Sequence, residues 1–195
     1  MKQQFNKYLH LTLITILILA GLLSKIINPS PFALSLYYSV ILLYGFYVFD
    51  NLFNIKFKKK QYIIMITIVL TGPTIVVPII SAAMHYDKIL HFFHPILLSS
   101  IVFFIVSKLK IKKLHALYLT FFIVLASFAI FEIIEYFGDL IFKWGLQGNY
   151  VRGTGGKLGG QVLLSPIDDT MIDLTLGMIG SFIYFLFGIK AINKK

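Results

Sequence analysis

The chain reads as an all-α, polytopic membrane helix bundle with six transmembrane helices and both termini cytoplasmic, and three observations predict this. Hydrophobic residues make up 58% of the 195 positions and charged residues 13%, which leaves too little polar surface to cover a soluble globule. Six stretches of mainly apolar residues reach the roughly 20 that a spanning helix needs. The lysines cluster in short runs between those stretches, where orientation signals belong.

The spans are expected at about 8–27, 32–53, 62–83, 88–107, 114–140 and 167–189. The first is too long and too well flanked for a cleaved export signal, so it is expected to stay in the mature protein. Asn28-Pro29-Ser30-Pro31 separates the first two spans, and Lys56, Lys58, Lys59 and Lys60 follow the second. The third carries Gly72-Pro73 and Pro78, which remove helical hydrogen bonds and bend the span or expose its backbone to a protein-lined cavity. Lys108, Lys110, Lys112 and Lys113 separate the fourth and fifth spans. A glycine-rich extracytoplasmic loop, 143–166, precedes the sixth, and the whole chain is expected to form a single integral membrane domain.

With the N-terminus in the cytoplasm, thirteen basic residues fall on that side: Lys2, Lys7, both lysine runs, Lys190, Lys194 and Lys195. Five fall on the other: Lys25, Lys88, Lys143, Arg152 and Lys157. The bias sets the orientation. It also accounts for the net charge of +10 without nucleic acid. The absence of cysteine excludes a disulfide framework, a thiolate metal site and a thiol nucleophile.

Seven of the eight acids then lie near the outer side: Asp87, Glu132, Glu135, Asp139, Asp168, Asp169 and Asp173. His85, His91 and His94 share that depth. An ionisable group inside a span costs about 2.5–3.5 kcal/mol on insertion scales, so a layer of them needs water or partners. Asp87, His91 and His94 stand at i, i+4 and i+7, one stripe of the fourth span. Carboxylates and neutral imidazoles in such a stripe are ligands for zinc and similar divalent ions; the alternative is a helix cap with histidines at headgroups. Glu132, Glu135 and Asp139 repeat the pattern on the fifth span, with Glu132 about 10 Å deeper along the axis than Asp139. Ser165-Pro166-Ile167-Asp168 reads as a cap with proline at the first helical position. Asp169 and Asp173 follow at i, i+4, and Asp173 lies about one turn inside the membrane.

Seven glycines between Lys143 and Ile167 give that loop conformational freedom. Arg152 and Lys157 make it basic, as a lid over the acids or as a plain connector. Gly153-Thr154-Gly155-Gly156-Lys157 lacks the spacing and the strand-to-helix context of a phosphate-binding P-loop. His10 and His115 belong at the cytoplasmic ends of spans one and five, and the tyrosines and phenylalanines read as interface anchors and packing.

Asp87-Lys88-Ile89-Leu90-His91-Phe92, Phe131-Glu132-Ile133-Ile134-Glu135 and Asp168-Asp169-Thr170-Met171-Ile172-Asp173-Leu174, with Gly177 and Gly180, occur in that order. This pattern resembles the YjdF-type family of prokaryotic inner-membrane proteins and, more distantly, the VanZ-like group. The resemblance covers about residues 85–189 and implies attention to Asp87, His91, Glu132, Glu135, Asp169 and Asp173. VanZ-like proteins are associated with glycopeptide resistance at the cell surface.

Three functions fit these residues. In the first, a metal-dependent hydrolase or transferase of the outer leaflet acts on a lipid-linked or phosphorylated substrate. Asp87, His91, His94, Asp169 and Asp173 would supply the ligands to a divalent metal, zinc or similar, and Glu132 or Glu135 the general base. The second is a cation- or proton-coupled permease component. The third is a non-catalytic binder of a surface lipid or antibiotic.

Overall fold

The computed structural model describes residues 31–72, 86–142 and 164–194, together with Thr12, Thr15 and Ile16. Most of the first expected span, His10, the Pro73–Pro78 half of the third, His85 and nearly all of the glycine-rich loop, with Arg152 and Lys157, lie outside the described residues. Every described element is helical: α1 (Pro31–Leu52), α2 (Lys59–Thr71), α3 (Tyr86–Val106), α4 (Lys113–Phe142) and α5 (Pro166–Asn193), with a 3₁₀ turn at Ser107–Leu109. The chain divides into two compact units, residues 1–86 and 87–195.

In the first unit, α1 and α2 form a hairpin whose turn is built around Asp50. Proline at the start of α1 suits a first helical position, where the missing N–H has no helical partner anyway. At its other end the chain turns through Asn54 and Lys56, both with positive φ (49° and 55°), a conformation uncommon outside glycine. Asp50 closes this turn. Its backbone carbonyl accepts from the Ile55 N–H at 3.0 Å and its Oδ1 from the Phe57 N–H at 3.0 Å. Its Oδ2 accepts from the Tyr62 hydroxyl. Phe46 stacks on Phe57 with ring centroids 4.4 Å apart and meets Tyr62 edge-on at 5.5 Å, so an aromatic cluster covers the buried carboxylate.

The second unit holds the three helices long and apolar enough to cross a membrane: Tyr86–Leu109, Lys113–Ile141 and Pro166–Asn193 among the described residues. The short connection between α3 and α4 brings α4 back antiparallel. At one end, Phe103 of α3 packs against Tyr184 of α5, and Tyr118 of α4 against Phe185 of α5. At the other lie the first turns of α3 and α5 and the last turns of α4. Ile89, Phe93, Phe122, Ile130, Leu140, Met171 and Phe187 are exposed, which suits hydrocarbon surroundings and not water. Leu90, Ile101, Leu117, Val124 and Phe185 are buried within the unit.

Glycines on α5 set how closely the helices approach. A Cβ on Gly180 would run into the backbone carbonyl oxygen of Phe92 on α3, and one on Gly177 would lie 3.3 Å from the Phe128 ring of α4. At Gly188 the obstacle is the flexible end of Leu117, 2.5 Å away. Small residues let backbones meet where association depends on packing. Gly180→Ala should therefore lower stability by about 1–3 kcal/mol, as overpacking does, and more than Gly188→Ala, where a side chain can move aside. Thermal unfolding of both variants in detergent checks the ranking.

Candidate functional site

The ends of α3, α4 and α5 bring together the residues that the helical spacing put on separate stripes. α5 starts as its sequence implies. Ser165 caps the helix, its Oγ accepting from the Asp168 N–H at 3.2 Å, and Pro166 occupies the first turn. Asp168 is spent on this cap, its Oδ2 accepting from the Ser165 hydroxyl at 2.5 Å. One residue on, Asp169 turns inward, and Asp173 follows it one turn deeper; both are buried.

Lys88 is the centre of the charge arrangement. From the first turn of α3 its Nζ reaches Asp169 Oδ1 at 2.5 Å, Asp173 Oδ2 at 2.6 Å and Asp87 Oδ2 at 3.0 Å. One ammonium thus serves three carboxylates on two helices. Charge distribution along the sequence assigns Lys88 an orientation role and gives it no place among the site residues; the signal that points to this role is its position inside the acid-rich stripe, next to Asp87.

His91, one turn into α3, is buried and faces carboxylates on both sides. Its Nε2 lies 3.4 Å from Asp87 Oδ1, while its Nδ1 lies 3.6 Å from Glu132 Oε1 and 3.9 Å from Asp173 Oδ1. Phe128 meets the imidazole edge-on, centroids 6.1 Å apart, and Phe131 lies at 6.3 Å. Phe128 occupies space left by Gly177, so the missing side chain on α5 helps seat the ring on α3. Pro95, buried inside α3, has no N–H to donate to the carbonyl of His91 four residues earlier.

Glu132 is the deepest acid of its stripe, at 3% exposure, as the rise along the helix predicts. Glu135 and Asp139 are half-buried toward the end of α4. His91 Nδ1, Glu132 Oε1 and Asp173 Oδ1 are buried and have no hydrogen-bond partner among the described residues. Ligand atoms of Asp87, His91 and Asp173 all lie within 4.8 Å of one another, so this group could hold a metal ion. His94 and Asp169 fall outside that group.

Apolar, lipid-exposed helices around a buried carboxylate–imidazole–ammonium centre define an integral membrane protein whose polar groups face inward. The chain belongs to the family described as Predicted membrane protein (DUF2238), which matches residues 9–194. No curated protein and no solved structure matches it.

Removing the ammonium leaves three carboxylates, two of them buried, without their cation. Lys88→Met is expected to cost about 3–5 kcal/mol, the scale for breaking a buried pair, while Lys88→Met combined with Asp169→Asn and Asp173→Asn should recover part of that loss. Denaturant unfolding in detergent measures both.

Proposed function

We propose that this protein is a multi-pass plasma-membrane protein with a metal-dependent centre facing the extracytoplasmic side, acting as a hydrolase or transferase on a lipid-linked or phosphorylated substrate. The six-span topology with cytoplasmic termini rests on the lysine distribution, and the family relationship is of the YjdF type. The observation that carries the reading is the convergence of Asp87, His91 and Asp173 from two helices, with ligand atoms within 4.8 Å of one another, beside the buried Glu132 on a third.

The donor set is two carboxylates and an imidazole, which suits zinc and similar ions. A bound divalent ion supplies Lewis acidity toward a phosphoryl oxygen and makes bound water more acidic. The chain's own groups do the rest. Lys88 holds Asp169 and Asp173 in place, and the aromatic seat of His91 fixes the imidazole and keeps it dry. Glu132 or Glu135 would take the proton from water. The exposed apolar residues Ile89, Phe93, Met171 and Ile172 flank these groups at the same depth, which suits a substrate arriving from the lipid.

Elemental analysis of purified protein should find about one divalent ion per chain, and phosphate release from a lipid pyrophosphate in vesicles should stop on chelation and in Asp173→Asn. Folded, active protein without metal would sink the reading. Orientation is tested separately. Because the chain has no native cysteine, Lys110→Cys should be labelled by a membrane-impermeant maleimide only from the cytoplasmic side, and Ile167→Cys only from outside.

A further inference from the structure

The two ring nitrogens of His91 face different surroundings, and this separates ligands from supports. On the Nε2 side, among the described residues, stands Asp87, 3.4 Å away, its side chain 48% exposed and its other oxygen bound to Lys88. On the Nδ1 side stand Glu132 Oε1 and Asp173 Oδ1, at 3.6 and 3.9 Å. All three atoms on that side are buried without hydrogen-bond partners among the described residues, whereas Asp173 Oδ2 is held by Lys88.

We infer that His91 Nδ1, Glu132 Oε1 and Asp173 Oδ1 form a three-ligand site for a divalent cation, with Asp87 as the positioning residue for the imidazole and Lys88 as the positioning residue for Asp173. The inference rests on the metal-dependent reading above, and it narrows that reading to one side of the ring.

The physical argument begins with what these atoms can do. In the neutral ring with Nε2–H directed to Asp87, Nδ1 carries a lone pair, and the carboxylate oxygens opposite it are acceptors too. Acceptors facing one another in a buried space repel unless a cation or a proton joins them, and a site that binds a divalent ion uses the first. Separations of 3.6 and 3.9 Å are too long for hydrogen bonds. The His91–Glu132 separation matches the spacing of ligands on a shared ion and the His91–Asp173 separation is a few tenths of an ångström longer, since bonds of about 2.0–2.2 Å in tetrahedral geometry place neighbouring ligands roughly 3.3–3.6 Å apart.

A carboxylate on the far nitrogen is the usual support for a metal-bound histidine, because it sets the tautomer and the ring orientation. Three protein ligands leave one tetrahedral position for water or substrate, the arrangement of catalytic zinc sites. With Glu132 engaged as a ligand, Glu135, one turn nearer the end of α4, becomes the general base.

The test uses the full-length protein in detergent, with Zn²⁺ titrated against a chromogenic chelator. Glu132→Gln should weaken Zn²⁺ binding by about 100-fold or more. Asp87→Asn should weaken it by about 10-fold, within the range for a supporting carboxylate, and Asp87→Glu should restore part of the loss. Asp169→Asn should change it by less than about 3-fold. A second measurement needs no variant: with ¹⁵N-histidine and NMR-active cadmium, scalar coupling to the metal should fall on the Nδ1 of His91. Coupling on Nε2, or binding lost in Asp87→Asn and kept in Glu132→Gln, overturns the ligand assignment and leaves the metal-dependent reading standing. Wild-type protein that binds neither Zn²⁺ nor cadmium overturns both.

Discussion

The Lys88 ammonium inside a ring of three carboxylates is the contact on which the polar end of the second unit depends. Two of those acids are buried on α5 and the third stands beside the lysine on α3. Carboxylates are expensive in a low-dielectric interior, and their mutual repulsion adds to the cost. One cation reaching all three offsets both terms and ties α3 to α5. The length of the lysine stem lets its head meet all three acids, a reach a short side chain could not provide.

Three buried acids, Asp50, Asp173 and Glu132, separate into two kinds according to how their oxygens are used. Asp50 has both carboxylate oxygens satisfied, by the Phe57 N–H and the Tyr62 hydroxyl, and its backbone carbonyl closes the same turn. It is a structural acid. Asp173 has one oxygen on Lys88 and one buried without a hydrogen-bond partner among the described residues, and Glu132 also keeps an unpartnered buried oxygen. Buried polar atoms are normally paired. Two carboxylate oxygens, from Glu132 and Asp173, thus face one ring nitrogen of His91.

The frame around this centre is closely packed through small and aromatic residues. Gly180 lets α5 approach the α3 backbone, and Gly177 admits Phe128, which in turn abuts His91. Farther along, Phe121, Phe182 and Phe185 cluster, and Phe103 reaches Tyr184. The polar groups at one end are held by apolar interlock along the rest of the bundle. Membrane helices lack a strong hydrophobic drive to associate, so such packing carries the association.

Helix type, the membrane environment and the candidate stripes were legible from residue order alone, because hydropathy runs and i, i+3, i+4 and i+7 spacing are properties of a single helix. The expected spans 88–107, 114–140 and 167–189 lie close to α3, α4 and α5, and the Ser165 cap was visible in the same way. Depth along a helix was legible too, which is why Glu132 stood out. Which nitrogen of His91 meets which carboxylate, that Asp169 sits on Lys88, and that Lys88 belongs to the centre at all were decided by tertiary structure. Those facts depend on the rotation and separation of three helices, set by side chains as remote as Gly180 and Phe128, and a one-dimensional pattern contains neither quantity.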